Sequence, residues 1–459
     1  MTHSYVRNIP VEDGYDLVVA GGGPAGCAAA VCAARLGVKV LLIEATGCLG
    51  GMGTSGLVTA FDPMADGVRN LAGGFIREVV ETLYDRGYLK PGIDPDTWRK
   101  NYHQWTPFHP EGLKIVLDEL ASQSGVEVRF FTRVIDVEFD AADKIVRGVI
   151  INNVEGSKYI KARTFIDCTG DAALTAMTGA PCREAGRDTE NIMPCTLASL
   201  HAGIDWENED QTPHDDRWII IEKAYADGVL SQCDRHLSGM SRIGHTLGYL
   251  NGGHVFGLNA LKCADLSSGM MFGRKLAQEY LALYRKYLKG YDNMELVTTA
   301  SLMGVRETRR IVGEYELCFD DYINRRSFPD QIGVFNKFVD IHAYDCSKEQ
   351  YENFVSSKNK ERLGMGEYFG MPYGILVPKG WKNLWVAGRC ASADIRVQGS
   401  IRVMPACAMM GQAAGTAAVQ SIKTGQIACE LDTEMLVETL LENGAFLPQT
   451  QRSKTMTRR

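Results

Sequence analysis

The fold of this chain is decided by one run, Tyr15-Asp16-Leu17-Val18-Val19-Ala20-Gly21-Gly22-Gly23-Pro24-Ala25-Gly26. Its apolar first half is typical of a buried strand, and its second half matches the pattern G-x-G-x-x-G. An Ala-rich stretch follows, which predicts a helix that ends at Gly37. Glycines at such a turn let the backbone and the helix N-terminus approach a pyrophosphate. The sequence therefore predicts dinucleotide binding at Gly21, Gly23, Pro24, Ala25 and Gly26, the alternative being a purely structural turn.

A second apolar run, residues 38–43, ends at Glu44 and Ala45. Glu44 lies 18 residues beyond Gly26, near the spacing at which an acidic side chain binds a ribose hydroxyl. Residues 15–44 therefore form one βαβ unit with parallel strands. This unit predicts an α/β protein with a Rossmann-like domain, and Glu44 and Ala45 are expected to contact the nucleotide.

Further along the chain, the spacing of apolar residues changes twice. We expect helices at 75–86, 110–121, 271–288 and 405–423, and strands at 126–131, 133–139, 145–152, 164–168 and 383–387. Between about 200 and 370 the periodicity is mixed, which indicates a separate lobe. After Pro378 the apolar strand pattern resumes.

Composition excludes several classes of partner. Lys and Arg total 49 against 56 Asp and Glu, a formal charge of -7 without a dense basic run, so nucleic acid is not an expected partner. The 13 cysteines form no C-x-x-C pair, which predicts no metal site of the zinc or iron–sulfur type and reduced thiols in the cytoplasm. No apolar stretch reaches the length of a membrane span, so no membrane is expected.

Three further features favour FAD over NAD as the dinucleotide. They are the glycine pair Gly50-Gly51, the strand end Thr169-Gly170-Asp171 and the late Gly388-Arg389. A domain that binds only NAD does not need these additional segments to hold its dinucleotide. An NAD-dependent dehydrogenase remains an alternative, but it leaves the distant segment 388–415 unexplained.

Together these motifs resemble, over nearly the whole chain, the FAD-dependent oxidoreductase family, which is related to the fumarate reductase flavoprotein superfamily. The resemblance is carried by residues 18–26, 48–54, 304–311, 339–342, 371–374 and 388–415. It implies one FAD domain assembled from residues 1–199 and 371–459, and an inserted α+β substrate lobe at 200–370. It also implies hydride transfer between non-covalent FAD and a small-molecule substrate, a carbohydrate or an organic acid. The electron acceptor or donor is not identified, and a homodimer is the default expectation.

The resemblance also implies which further residues contact FAD. They are Gly50, Gly51, Val134, Gly170, Gly388, Arg402, Gly411, Ala413 and Ala414. We expect the last helix to direct its positive end at the flavin pyrimidine, which becomes negative on reduction. The alternative is a small-residue helix that only packs on the sheet.

Candidates for substrate chemistry are His342, Arg306 and Tyr373. His342 is either a general acid or base or a structural histidine tied to Asp340. Arg306 is expected to anchor an anionic or polyhydroxyl substrate, although arginines in such a run also pair with neighbouring glutamates. Tyr373 is expected to reach the flavin face.

Four other features leave alternatives open. His245 and His254 lie in a glycine-rich stretch that is either a lid or a solvated loop. An aromatic cluster at Trp98, Tyr102, Trp105 and Phe108 stacks on a substrate or belongs to the core. Cys48 lacks a partner base for a flavin thioether, which favours a non-covalent cofactor. Ile395 stands where many relatives have histidine, so a catalytic histidine is not available at that position. For the whole protein, the remaining alternative function is a flavoprotein without catalytic turnover.

Overall fold

The structure is a computed structural model that describes residues 3, 6–100, 105–210, 212–213 and 216–448. Its helices are, in chain order, α1 Pro24–Arg35, α2 Gly74–Asp85, α3 Pro95–Lys100, α4 Pro110–Gln123, α5 Ala173–Met177, α6 Trp218–Ala226, α7 Cys263–Tyr287, α8 Phe319–Ile323, α9 Lys348–Lys360, α10 Ile395–Ile401, α11 Met404–Thr424 and α12 Thr433–Glu442. Across the part of the chain that the structure describes, no helix is both long and apolar enough to cross a bilayer.

The strands follow the same order along the chain. They are β1 Val11–Ala20, β2 Val40–Ile43, β3 Ala60–Phe61, β4 Thr106–Pro107, β5 Glu127–Arg129, β6 Arg133–Asp140, β7 Ile145–Asn153, β8 Gly156–Asp167, β9 Cys182–Glu184, β10 Cys195–Thr196, β11 Ser199–Ala202, β12 Met240–Arg242, β13 Gly248–Leu250, β14 His254–Val255, β15 Glu295–Thr299, β16 Arg309–Ile311, β17 Gln331–Phe335, β18 Phe369–Pro372 and β19 Leu384–Val386.

The main sheet has the order β5-β2-β1-β8-β7-β6. Strands β5, β2, β1 and β8 are parallel, and β19 joins the sheet in parallel beside the end of β8. The hairpin β6–β7 adds antiparallel to the first half of β8. This sheet confirms the predicted α/β fold with a Rossmann-like unit.

Both faces of the main sheet are covered. Leu17 and Val19 belong to the core that holds α1 and α11, whereas Val18 and Ala20 belong to a core on the other face. Successive side chains of a strand point to opposite faces, so a strand buried on both faces must be apolar throughout. The continuous apolar run of β1 is therefore a consequence of its central place in the sheet.

Helices α1 and α11 approach each other closely because α11 carries glycine at the contact. A Cβ at Gly411 would lie 2.0 Å from the Ala25 carbonyl oxygen, and one at Gly415 would lie 2.4 Å from that of Ala29. Glycine is therefore required at both positions for the backbones to meet. This contact fixes the start of α11 beside the first glycine turn.

A second lobe is built on the antiparallel sheet β12-β13-β11-β15, against which α7 packs. Its cores contain residues such as Leu197, Tyr249 and Tyr284. In contrast, Phe335, Val339 and Phe369 pack in the large core around α11. Within the predicted range 200–370, β17 therefore lies against α11 and β18 pairs with β17, while the bounds of the two lobes stay a prediction.

Candidate active site

A cavity of about 890 Å³ lies at the carboxyl ends of β1, β2 and β8. One part of its surface, here called the glycine wall, is formed by Gly21, Gly23, Pro24, Ala25, Glu44, Ala45, Gly51, Val134, Gly170 and Gly388. Another part, the charged wall, is formed by His236, Arg306, Lys337, Asp340, His342 and Arg402. Ligands of doubly wound sheets bind in this position, outside the carboxyl ends of the strands.

The first glycine turn uses its three glycines for different purposes. Gly21 has φ +100°, and a Cβ there would lie 2.5 Å from the Cys168 carbonyl oxygen. A Cβ at Gly26 would lie 1.7 Å from the Gly21 carbonyl oxygen. A Cβ at Gly23, in contrast, would meet no protein atom within 4 Å. Gly21 and Gly26 are therefore needed by the protein, whereas Gly23 leaves space in the cavity.

Glu44 holds the turn and lines the cavity at the same time. Its Oε2 accepts a hydrogen bond from the Gly22 backbone N–H at 2.7 Å, and its Oε1 accepts one from the Thr46 N–H at 2.6 Å. A carboxylate oxygen has two acceptor positions, so each oxygen retains capacity for a ligand hydroxyl. These two hydrogen bonds hold the Glu44 carboxylate at the glycine turn.

The N-terminus of α11 also reaches the cavity. Val403, Met404 and Cys407 line it, and the N-cap residue Val403 contributes no side-chain cap. The first turn carries no acidic residue. The positive end of the helix dipole is thus directed at the cavity without being neutralised by the helix's own first turn.

Three cations of the cavity surface are held by carboxylates. Lys337 pairs with Asp62, Arg389 with Asp171, and Arg402 with Asp340. Arg402 donates from Nη2 to both the backbone oxygen and Oδ2 of Asp340, at 2.9 and 3.0 Å. The Nε atoms of Arg389 and Arg402 are buried without a hydrogen-bond partner among the described residues.

Arg306 differs from these three cations. It is 7% exposed, and its Nη1 donates to the Pro194 carbonyl oxygen at 2.6 Å and to Thr196 Oγ1 at 3.0 Å. Both acceptors are neutral, and among the described residues no carboxylate lies within ion-pair distance of its guanidinium. Burial, together with the nearby Arg402, lowers the pKa of Arg306 to about 10, which leaves it charged at neutral pH.

Three histidines converge beside Arg306. The centroids of the His236, His254 and His342 rings are separated by 5.0, 5.1 and 5.2 Å. His342 Nδ1 lies 3.0 Å from His254 Nε2. The other nitrogens face carboxylates: His254 Nδ1 lies 3.1 Å from Asp234, and His342 Nε2 lies 3.5 Å from Asp340.

The charge state of this group follows from burial and from the two carboxylates. Burial lowers the pKa of His236 to about 3, and burial together with the positive charge of Arg306 holds the pKa of His342 well below its usual range. Although burial acts to raise the pKa of Asp340, His342 and Arg402 keep it well below the ordinary value. His236 and His342 are therefore neutral beside an ionised Asp340.

Most of the residues predicted from the sequence lie at the cavity. Those that line it are Gly21, Gly23, Pro24, Ala25, Glu44, Ala45, Gly51, Val134, Gly170, Gly388, Arg402, Arg306 and His342. Those that do not are Gly26, Gly50, Gly411, Ala413, Ala414 and Tyr373. Arg309, three residues after Arg306 in the same motif segment, faces Glu184 at 3.7 Å instead.

The residues that miss the cavity do so for physical reasons. Gly411, Ala413 and Ala414 are buried along α11, so they shape its packing and do not line the cavity. Tyr373, expected at the flavin face, does not line the cavity: its hydroxyl donates to the Ala428 carbonyl oxygen and accepts from Trp385 Nε1. That pair of hydrogen bonds keeps the phenol in the core.

Other candidate residues are also resolved. His245 is exposed and His254 is buried in the histidine group, so only the second is near the cavity surface. Trp98 and Phe108 are buried and Trp105 lines the cavity, whereas Tyr102 lies outside the described residues. Cys48 does not line the cavity.

Sequence reasoning missed His236 and Lys337, both on the charged wall. Neither stands in a motif with a defined spacing to a partner. The sole signal was the crowding of His236 and Asp234 before the glycine-rich stretch, which is a weak indication of function.

The fold and the cavity agree with the comparisons with known proteins. The profile of the family described as FAD dependent oxidoreductase matches residues 16–440, and the chain belongs to this family. The match confirms the predicted family and its cofactor, FAD.

Individual relatives are distant. A stretch of 45 residues is 51% identical to dihydrolipoyl dehydrogenase of Trypanosoma brucei brucei, covering 10% of this chain and only 9% of that enzyme. A geranylgeranyl bacteriochlorophyll reductase-like protein from Thermoplasma acidophilum is 13% identical, with a TM-score of 0.48 over 94% of this chain and 84% of the other. A p-nitrophenol 4-monooxygenase from Pseudomonas putida is 10% identical, with a TM-score of 0.45 over 94% and 89%.

Proposed function

We propose that the protein transfers a hydride between a small organic anion and non-covalently bound FAD. The observation that carries this proposal is Arg306, a buried cation on the cavity surface whose guanidinium has neutral partners. A buried charge without an ion-pair partner is costly, and an anionic ligand would reduce that cost. Of the two substrate classes expected from the family, this supports an organic acid over a neutral carbohydrate.

The glycine wall fits the dinucleotide. Gly23 leaves room that no protein atom fills, and the N-terminus of α1 has no side-chain cap, so its backbone N–H groups are available to a pyrophosphate. The orphaned Nε atoms of Arg389 and Arg402 are further donors for a polyanionic or carbonyl-rich cofactor. Glu44 would accept from a ribose hydroxyl with its remaining lone pairs.

When bound, FAD supplies a carrier of two electrons. The protein's own groups bind and orient the reactants around it. The uncapped start of α11 would stabilise negative charge that develops next to it, and Arg306 would hold the substrate anion in one orientation. Both groups act through fixed charge, so neither needs to gain or lose a proton.

His342 fits the structural alternative better than the role of a free general base. Its Nδ1 faces His254 and its Nε2 faces Asp340, so both ring nitrogens have protein partners. We therefore assign His342 to the wall that shapes the substrate site. We assign to Arg306 the binding of the substrate's negative charge, and not the transfer of its proton.

The test is an anaerobic screen with matched pairs of acids and their methyl esters. Each hydroxy acid is mixed with the oxidised holoprotein, and each enoic or keto acid with the photoreduced holoprotein, while flavin absorbance is followed. At least one acid should change the redox state of the flavin whereas its ester does not. Reaction with neutral polyols or esters alone would contradict the anionic class, and reaction with no compound would favour a flavoprotein without turnover.

A further inference from the structure

We propose that His236, His254 and His342 bind one divalent transition-metal ion at the surface of the cavity, with a coordination position open to it. The cysteine spacing predicted no metal site of the local-motif type, but these histidines come from separate parts of the chain. His236 lies between α6 and β12, His254 begins β14, and His342 follows β17. The site is independent of the substrate proposed above.

The geometry of the group is that of a ligand set. One ring nitrogen from each histidine lies within 4.8 Å of one from each of the others. The ring centroids are almost equally spaced, at 5.0 to 5.2 Å, as expected for three rings around a common point. Three imidazoles with one open position form the ligand set of several catalytic zinc sites, and imidazole also suits iron, nickel and copper.

The carboxylates fix which nitrogens are available. Asp234 faces His254 Nδ1, and Asp340 faces His342 Nε2, so these two ring nitrogens are turned towards carboxylates. The opposite ring nitrogens, His254 Nε2 and His342 Nδ1, face each other at 3.0 Å, which brings two ligand atoms together between the rings.

The ring nitrogens of His254 and His342 are spaced almost as two ligands of one metal ion. Metal–nitrogen bonds of 2.0 to 2.1 Å at a tetrahedral angle separate two ligand nitrogens by about 3.3 Å. The observed 3.0 Å is a few tenths of an ångström shorter. A carboxylate on the second ring nitrogen is also the usual partner of a metal-bound histidine, because it orients the ring and raises its basicity.

Asp234 is built to hold this arrangement. Besides facing the His254 ring, it accepts hydrogen bonds from the backbone N–H of His236 at 3.2 Å and of His254 at 3.1 Å. One carboxylate therefore positions two of the three ligands. His236 and His342 line the cavity, so the open position would take water or an oxygen of a substrate.

The experiment measures metal binding by the FAD-loaded, full-length protein. The protein is stripped with a chelator and dialysed against Zn²⁺ or Co²⁺, the metal content is measured by mass spectrometry, and the Co²⁺ form is examined for ligand-field absorption at wavelengths longer than those of the flavin. We expect one ion per chain and absorption typical of tetrahedral or five-coordinate Co²⁺. A content near zero, or an octahedral Co²⁺ spectrum, would overturn the proposal.

Variants locate the ion. His254→Ala and His342→Ala should each weaken binding by at least about 10²-fold, and Asp234→Asn by about 10- to 100-fold because it releases the His254 tautomer. The exposed His245→Ala is the matched control and should bind the ion like wild type. FAD occupancy monitors folding, and Asp234→Asn keeps the test decisive if a histidine variant does not fold. Unchanged binding in the folded ligand variants would show that the ion lies elsewhere and would refute the site.

Discussion

The two walls of the cavity are built in different ways. The glycine wall presents backbone, small side chains and one carboxylate, and Glu44 is held by two backbone N–H groups. The charged wall presents long side chains whose positions depend on partners from distant parts of the chain. The difference teaches that the proposed nucleotide site consists mainly of backbone and small side chains, whereas the proposed substrate site depends on side-chain contacts across the fold. We therefore expect that the two walls can be disabled separately.

The largest effect is expected from filling the glycine wall. In Gly23→Val the new side chain meets no protein atom at its Cβ but occupies the cavity, so FAD should be lost while the fold remains. We expect the FAD dissociation constant to rise by at least about 10²-fold, measured by fluorescence titration of the apoprotein.

Gly411→Ala is the matched contrast, because its Cβ would lie 2.0 Å from the Ala25 carbonyl oxygen and outside the cavity. It should destabilise the fold by about 1 to 3 kcal/mol through overpacking, measured by denaturant unfolding. If Gly23→Val lowers the free energy of unfolding but leaves the FAD dissociation constant unchanged, the division of roles among the glycines is wrong.

The charged wall is tested by Arg306→Met, which keeps much of the side-chain length and removes the charge. Loss of a buried charged hydrogen-bond partner should raise KM for the anionic substrate by about 10- to 100-fold, with FAD affinity unchanged. Arg306→Lys should show a smaller increase, because it keeps the charge but loses the planar donor geometry. Steady-state kinetics and FAD titration on the same preparations separate the two walls, and loss of FAD from Arg306→Met would show that they are not independent.

A smaller effect is expected at Glu44. Glu44→Ala removes the acceptors of the Gly22 and Thr46 N–H groups, so FAD affinity should fall by about tenfold. Glu44→Gln keeps one carbonyl acceptor, so its FAD affinity should lie between those of wild type and Glu44→Ala. Wild-type affinity in Glu44→Ala would remove this residue from the nucleotide site, and an altered KM at full FAD occupancy would move it to the substrate.

The smallest effect is expected from Cys48→Ala. Cys48 does not line the cavity, and its thiol lies 3.1 Å from Ser55 Oγ. The variant should keep FAD, and heat denaturation should release the flavin from both the variant and wild type. Flavin that stays with the wild-type precipitate but leaves the variant would instead identify Cys48 as a covalent anchor.

The glycine wall could be predicted because its signals are local. Gly21, Gly23 and Glu44 lie within one βαβ unit whose spacing is fixed by the strand and helix periods. Helices α4 and α11 agreed with expectation to within a few residues. Helix α7 begins at Cys263, earlier than the predicted Met271, because its first turns are polar and give no apolar period.

The charged wall could be predicted only in part: Arg306, His342 and Arg402 stand in motif segments, whereas His236 and Lys337 do not. His236, His254 and His342 have no common motif, and the fold alone brings their rings within 5.2 Å. Tyr373 stood in a family motif, yet its hydroxyl has two partners in the core. Sequence position predicted that this residue matters, but only packing decides which way a side chain points.

The binding of an anionic substrate at the charged wall is tested most directly by the flavin difference spectrum of the oxidised holoprotein, recorded during titration with a non-reactive acid and with its methyl ester. It reports binding at the cavity without requiring turnover or a reaction direction. We predict a saturable change with the acid, none with the ester, and loss of the response in Arg306→Met at full FAD occupancy. An equal response to the ester, or an unchanged response in Arg306→Met, would contradict the assignment of the charged wall to an anionic substrate.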